Sequence, residues 1–190
     1  MTIVLASQSP RRVELLRQIG IEPVVVPADI DESVRTGESP EVYVRRMARE
    51  KAAAIARQRP EIVIAADTAV VADGRILGKP ADEADFVAMM RRLSGRTHRV
   101  LSGVAVQRGP RVETRLSAST VRFRPLGDDE IHRYWRSGEP ADKAGGYGIQ
   151  GLAAVFVESI GGSYSGIMGL PLFETAELLA AFDVPVLSAA

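Results

Sequence analysis

The sequence contains no cysteine, which excludes disulfide bonds, thiolate metal sites and thiol catalysis. Its two histidines, His98 and His132, lie in no pattern that indicates a catalytic or metal-binding partner, so a histidine-based site is not expected. No apolar run approaches the ~20 residues that cross a bilayer. The opening residues MTIVLASQSP lack the basic segment and the long apolar run of a signal peptide. We therefore expect a soluble, cytoplasmic protein without a membrane partner.

An excess of charge of one sign is also missing. Lys and Arg together number 24, Asp and Glu number 24, and the formal net charge is zero. Proteins that bind long nucleic acids usually carry a basic excess, so we expect no such partner. The chain has 190 residues, of which 46% are hydrophobic and 25% charged. These values are typical of one globular domain, which we expect to span residues 1–190.

Hydrophobic periodicity and turn residues predict an α/β fold with a sheet of mixed direction. Strands are expected at residues 3–5, 22–26, 62–66, 97–107, 111–124 and 152–160. A hairpin is expected around the Asp73–Gly74 turn. Helices are expected at residues 9–19, 39–57, 82–95, 128–135 and 171–182.

Two arginines near the start of the first predicted helix lie where a cation is unfavourable. Arg11 and Arg12 precede the apolar residues of this helix by one turn and lie on the same side. A helix start favours anions, because its unpaired N–H groups carry partial positive charge. The arginines are either solvated surface residues or part of an anion site, to which Ser7 would also donate.

Other charged residues also have two interpretations. Lys51 lies within the apolar stripe of the second predicted helix, so its ammonium either extends to water or binds an anion in a cleft. Asp67, at the end of a buried strand, is either a turn residue or a functional carboxylate, which would bind Mg²⁺ or, with a raised pKa, accept a proton from water. Glu32, in an acidic loop, is a less specific second metal ligand. Lys79 and Lys143 lie in loops that are stiff at Pro and allow close approach of the backbone at Gly, and both are candidate ligands of an anion.

These candidates together carry charges of both signs that suit phosphate chemistry. Positioning and neutralisation of charge are the main requirements for attack on a phosphate ester or anhydride. We expect the cations to be unpaired and to converge on one cleft, where a phosphate chain would balance them: Arg11, Arg12, Lys51, Lys79 and Lys143. The residues alone predict metal-assisted phosphate chemistry and leave the base and the leaving group open.

Six segments carry a resemblance to a known family: LASQSPRRVELLRQIG, AREKA, AADT, GKP, SGRTHRVLSGVAV and GEPADKAGGYGIQG. In this order they resemble the Maf family of nucleoside triphosphate pyrophosphatases over nearly the whole chain. The resemblance implies an elongated mixed β-sheet flanked by helices, with a central nucleotide cleft as in ITPases, and often a homodimer. It also implies hydrolysis between the α- and β-phosphates with Mg²⁺ or Mn²⁺, releasing pyrophosphate, and Asp67 as the proton acceptor.

Within this family the chain resembles the branch that prefers dTTP and UTP. The resemblance implies that Arg12, Thr68 and Gln150 are important for selectivity, and modified pyrimidine nucleotides are further candidate substrates. The Gln150 amide has a donor and an acceptor, which match N3–H and a carbonyl of thymine or uracil. One alternative, also implied by the family, is a nucleotide-sensing regulator of septum formation and cell division with incidental or no hydrolysis. A purine-cleaning enzyme of similar architecture is a weaker one.

Overall fold

A computed structural model describes residues 2–186, in which seven strands form one mixed sheet. The strands are β1 (Ile3–Leu5), β2 (Val24–Val25), β3 (Ile62–Ala72), β4 (Arg75–Leu77), β5 (Thr97–Arg108), β6 (Arg111–Phe123) and β7 (Val157–Gly161). Their order is β2–β1–β3–β5–β6–β7, and β4 pairs with β3. β1 is parallel to β2 and β3, whereas the other neighbouring pairs are antiparallel. The predicted α/β class with a mixed sheet is confirmed.

Helices flank this sheet. They are α1 (Pro10–Gln18), α2 (Pro40–Ala56), α3 (Glu83–Leu93), α4 (Asp128–Arg136), α5 (Tyr164–Met168) and α6 (Leu172–Ala181). The start of α2 follows from local chemistry, because the Ser39 hydroxyl accepts from the Val42 N–H and Pro40 occupies the first position. Within residues 2–186, every helix is too short or too polar to cross a membrane.

The two faces of β3 pack against different helices. Val63 and Ala65 face α2 in one apolar cluster. On the opposite face, Ile64 belongs to the cluster with α1 and α6, whereas Val70 belongs to the cluster with α3 and α4. Thr68 lies on this second face, between the two clusters. The core is therefore divided at the middle of β3.

The structure corrects the predicted end of the third strand. β3 continues to Ala72, so Asp67 lies within the strand and not at its end. β5 pairs with β3 along residues 63–71, whereas β1 covers the opposite edge only up to Ile64 and β4 covers it only from Val70. The edge of β3 around Asp67 is therefore open, although the strand itself is continuous.

Three further elements differ from the prediction. The predicted strand 152–160 begins instead as a 3₁₀ helix, Leu152–Phe156, and only then enters β7. The strand predicted at 22–26 is reduced to Val24–Val25. Helix α5 was not predicted, because a helix of five residues leaves little periodic signal. The expected domain 1–190 extends beyond the described residues at both ends, and its limits stay a prediction.

Candidate active site

A cleft of about 740 Å³ lies at the open edge of β3. Its walls include the connection between β1 and α1 and the residues at the end of β4. All the residues predicted from the sequence line this one cleft: Ser7, Arg11, Arg12, Glu32, Lys51, Asp67, Thr68, Lys79, Lys143 and Gln150. Six segments of the chain thus converge at the gap between β1 and β4. The roles of these residues stay predictions.

The floor of the cleft holds a buried ion pair. Lys51 Nζ lies 2.7 Å from Asp67 Oδ1 and 3.0 Å from Glu32 Oε1. The side chains of Lys51 and Asp67 are each 9% exposed. The interpretation in which the Lys51 ammonium extends to water is therefore wrong. A buried ammonium requires a charged partner, and the apolar stripe of α2 directs Lys51 onto β3, where Asp67 provides one.

Burial also changes the proton affinity of the carboxylate. Desolvation raises the pKa of Asp67, and the positive charges of Lys51 and Arg12 oppose this shift only in part. Lys51 is the hydrogen-bond donor to Oδ1, and within residues 2–186 no second side chain donates to Asp67. A carboxylate with a raised pKa and an available oxygen is suited to accept a proton from water.

Two hydrogen bonds hold the side chain of Arg12, in the first turn of α1, in one orientation. Its Nε donates to the Gly169 carbonyl at 2.8 Å, and its Nη1 donates to Ser7 Oγ at 3.0 Å. Burial lowers the pKa of Arg12, while the negative charges of Asp67 and Glu32 oppose that shift. The Arg12 guanidinium therefore donates to neutral groups. It also lies close enough to the carboxylates of Asp67 and Glu32 for their negative charges to affect its pKa.

The expectation that all five cations are unpaired is wrong for Lys51 and Lys143. Lys143 Nζ lies 2.7 Å from Asp142 Oδ1 and donates to the Glu139 carbonyl at 2.7 Å. Arg11 and Lys79 have no hydrogen-bond or ion-pair partner within the described residues. In the part of the chain that the structure describes, Lys51 and Lys143 acquire partners from the fold, whereas the partly buried Arg11 and the exposed Lys79 do not.

A clamp that the sequence did not reveal holds the loop that carries Glu32. Arg46, on α2, donates to Glu38 Oε2 at 2.6 Å and to the Ser33 carbonyl at 2.9 Å. Tyr43 Oη donates to the Glu32 carbonyl at 3.1 Å. Neither residue stood out in the sequence, because a contact between a loop and the next helix has no periodic signal.

A second clamp fixes the glycine-rich loop. Glu139 accepts from Tyr134 Oη at 2.6 Å and from the Leu152 N–H at 2.9 Å. A Cβ at Gly151 would contact the Glu139 carboxylate, so a larger residue at this position would displace Glu139 from these hydrogen bonds. The Gly148 N–H donates to Tyr134 Oη at 3.2 Å. These contacts hold the wall of the cleft that presents Lys143 and Gln150.

Behind this wall, His98 Nε2 lies 2.7 Å from Tyr147 Oη. His98 is buried, and burial lowers its pKa to about 4. Its ring packs edge-on against Phe123 and Tyr147. His98 thus supports the loop from behind the cleft.

The chain offers two carboxylates to a metal ion. Within residues 2–186, no group of three or more His, Cys, Asp or Glu side chains is arranged to hold a metal ion. Asp67 and Glu32 are oxygen ligands that converge on one ammonium. Mg²⁺ is commonly bound by one or two carboxylates together with phosphate oxygens and water. The donor set therefore fits a divalent cation that shares its ligands with a phosphate substrate.

Comparison with known proteins shows the family. The family model described as Maf-like protein matches residues 2–182. The chain belongs to the Maf-like family. The predicted resemblance is confirmed.

Curated relatives of this Maf-like chain carry one name. This chain is 52% identical to the dTTP/UTP pyrophosphatase of Aromatoleum aromaticum, over 97% of this chain and 97% of the relative. It is 53% identical to the protein of that name from Hahella chejuensis, over 98% of this chain and 94% of the relative. The relative of that name from Cereibacter sphaeroides is 51% identical over 100% of both chains.

The Maf-like chain is also similar to solved structures. The Staphylococcus aureus Ham1 protein covers 67% of this chain and 73% of its own, with 21% identity and a TM-score of 0.46. At this distance the similarity carries no conclusion about chemistry.

Proposed function

We propose that this Maf-like protein hydrolyses dTTP and UTP to the nucleoside monophosphate and pyrophosphate. The observation that carries the proposal is the buried Asp67–Lys51 pair, with Glu32, on the floor of a cleft lined by further cations. The names of relatives at 51–53% identity support the substrates. Modified pyrimidine nucleotides are further candidate substrates of this proposal.

In the proposed reaction, Asp67 accepts a proton from water. The water oxygen forms a bond to the α-phosphorus. The bond between the α-phosphorus and the oxygen that bridges it to the β-phosphorus breaks. The bridging oxygen leaves with the pyrophosphate, whose negative charge is balanced by cations that line the cleft. The raised pKa of Asp67 favours this role, because it increases the affinity of the carboxylate for the transferred proton.

The cations that line the cleft differ in how they would bind the triphosphate. Arg11 and Lys79 are available to phosphate oxygens without breaking a protein contact, whereas Arg12 is held in place by Gly169 and Ser7. Lys51 and Lys143 exchange part of their contacts with carboxylates for contacts with phosphate. A triphosphate thereby replaces Asp67 as a partner of Lys51 and releases the base.

Asp67 and Glu32 would hold the Mg²⁺ or Mn²⁺ that accompanies the triphosphate. When bound, the cation neutralises charge that develops on the phosphate oxygens. Lys51 contacts both carboxylates, so it keeps them together without substrate and limits their mutual repulsion.

At the nucleoside end, Arg12, Thr68 and Gln150 are the proposed selectivity residues. Gln150 is exposed in the cleft, and within residues 2–186 its side-chain amide has no hydrogen-bond partner. It can therefore offer a donor and an acceptor to a pyrimidine edge. Homodimerisation and cytoplasmic location stay predictions. The regulator of septum formation is not favoured, because the relatives are named for an enzyme activity.

The proposed role of Asp67 is tested with Asp67→Asn. We expect kcat for dTTP with Mn²⁺ to fall by at least about a hundredfold, as is typical for loss of a general base. Nucleotide binding, measured by calorimetry with EDTA, should persist. Asp29→Asn is the matched control, because Asp29 also lines the cleft but is exposed. Near-normal kcat in Asp67→Asn would refute the assignment.

The substrate is tested by pyrophosphate release from dTTP, UTP, 7-methyl-GTP and ITP. We expect turnover of the two pyrimidine nucleotides to exceed that of the two purine nucleotides, and EDTA to abolish it. Tight binding of dTTP without release of pyrophosphate would favour the sensing alternative. Preferred turnover of ITP would favour the purine-cleaning alternative.

A further inference from the structure

A chain of hydroxyl groups crosses two strands beneath the cleft. Thr68 on β3 and Ser102 on β5 are directly paired in register, and their hydroxyl oxygens lie 2.7 Å apart. Ser102 Oγ also donates to the Gly166 carbonyl at 2.6 Å. Ser102 is buried, whereas Thr68 lines the cleft. A buried serine thus connects a cleft residue to the segment around α5.

The positions of the two hydroxyl hydrogens follow from these contacts. A serine hydroxyl has one hydrogen, and a carbonyl oxygen can only accept, so the Ser102 hydrogen is directed to Gly166. In the short contact between the hydroxyls, Thr68 must therefore be the donor. The Gly169 carbonyl is a poorer alternative for Thr68, because it lies 3.5 Å away and already accepts from Arg12 at 2.8 Å.

Thr68 consequently presents only lone pairs to the cleft. Phosphate oxygens of a nucleotide are also acceptors, so Thr68 Oγ1 does not suit the triphosphate and is instead suited to a donor group of the nucleoside. Arg12 contacts the same Gly169 carbonyl as Thr68, which places a cationic donor beside this acceptor. A donor next to an acceptor is complementary to the carbonyl and N3–H of uracil or thymine.

We infer that Ser102 is a positioning residue for base selectivity, because it holds Thr68 as an acceptor for N3–H. Cytosine has an unprotonated N3 and offers a lone pair at this point, so Thr68 repels it. The inference rests on the proposed function for its substrate class. Ser102 touches no substrate and acts through the direction of one hydroxyl hydrogen.

The test compares dissociation constants of UTP and CTP, measured by calorimetry with EDTA so that no turnover occurs. In Ser102→Ala the Thr68 hydroxyl is free to rotate and donate to cytosine N3. We expect the preference for UTP over CTP to fall about tenfold, the effect of one hydrogen bond. Thr68→Val should lose the preference similarly, and Thr68→Ser should keep it. The double variant Ser102→Ala/Thr68→Val should be no less selective than Thr68→Val alone.

Ser117→Ala is the matched control, because Ser117 is a buried serine paired with Ser102 on β6. It should keep the wild-type preference for UTP. If Ser102→Ala does not fold, Ser102→Cys provides a weaker acceptor of similar size and should also reduce the preference.

Equal weakening of UTP and CTP in Ser102→Ala would show a packing role and overturn the inference. Equal weakening in Thr68→Val would show that Thr68 faces the sugar, with the same consequence. Additive effects in the double variant would also overturn it. Pyrophosphate release by the wild-type protein is measured separately, so a protein that binds UTP selectively without hydrolysis would refute the proposed function alone.

Discussion

Lys51 and Asp67 form an ion pair of 2.7 Å on the floor of the cleft, with each side chain 9% exposed. The lysine comes from α2 and the aspartate from β3, so the pair connects a helix to the strand that it covers. A phosphate oxygen that binds Lys51 competes with Asp67 for the same ammonium. In the proposed reaction, substrate binding and the freeing of the carboxylate are therefore linked through one side chain.

Removal of the lysine leaves a buried carboxylate without its closest counter-charge. We expect Lys51→Met to lower the free energy of unfolding by about 3–5 kcal/mol at neutral pH, the usual cost of breaking a buried pair. The pKa of Asp67 should rise further, because Lys51 opposes the effect of burial. Below this raised pKa the folded state holds the protonated acid, so the loss of stability should decrease as the pH falls.

Urea unfolding at about pH 8 and about pH 5 measures this difference. Lys51→Met/Asp67→Asn is the control, because it removes the unpaired charge as well. The double variant should be more stable than Lys51→Met at the higher pH. A double variant that is less stable than the single variant would contradict the explanation.

The clamp on the Glu32 loop depends on the fork geometry of an arginine. Arg46→Lys keeps the charge but cannot donate to Glu38 and Ser33 in the same way. If Glu32 is a metal ligand as proposed, we expect kcat/KM for dTTP with Mn²⁺ to fall about tenfold, the typical effect of losing a residue that orients such a ligand. The apparent affinity for Mn²⁺ should fall with it.

The matched control for Arg46→Lys is Arg91→Lys. Arg91 also forms a two-pronged pair, with Asp128, but on an exposed surface outside the cleft. This variant should retain the wild-type kcat/KM. Equal values for the two variants would show that the Glu32 loop needs no clamp.

The clamp on the glycine-rich loop requires an acceptor at both oxygens of Glu139, because Tyr134 and the Leu152 N–H both donate to it. In Glu139→Gln one of these donors faces an amide NH₂ group. We expect the free energy of unfolding to fall by about 1–3 kcal/mol and KM for dTTP to rise. Glu158→Gln, at an exposed carboxylate paired with Arg122, should change neither value. An unchanged KM for dTTP in Glu139→Gln would show that the clamp does not contribute to substrate binding.

The buried His98 predicts a particular dependence of stability on pH. Burial lowers the pKa of His98 from 6.5 to about 4. Between these values the unfolded state takes up a proton that the folded state does not, so stability contributed by neutral His98 falls as the pH falls through this window. His98→Gln should have a flatter stability profile over the same range.

Tyr147→Phe is the control for His98→Gln. It removes the hydrogen bond to the histidine but leaves the ring buried, so the slope of stability with pH should persist. The measurement is urea unfolding across the window in all three proteins. A wild-type profile without this slope would contradict the assigned burial effect.

The sequence by itself determined much of the local structure. The Asp73–Gly74 turn has positive φ at both residues, as expected for a two-residue hairpin of this composition. Ser39 and Pro40 located the start of α2 to within one residue. The predicted cations and carboxylates line one cleft, because the topology brings together the loops, the start of α1 and the parts of α2 and β3 that carry them.

Tertiary structure decided how these residues are paired and oriented. The open edge at Asp67 depends on where β1 and β4 stop along β3, which no local pattern encodes. Ser102 and Arg46 act through contacts with residues remote in sequence or in an adjoining loop. Periodicity and capping act over a few residues, so the sequence determined most of the longer elements and the set of charges. Packing across the sheet determined which charged groups pair and which hydroxyl groups contact each other.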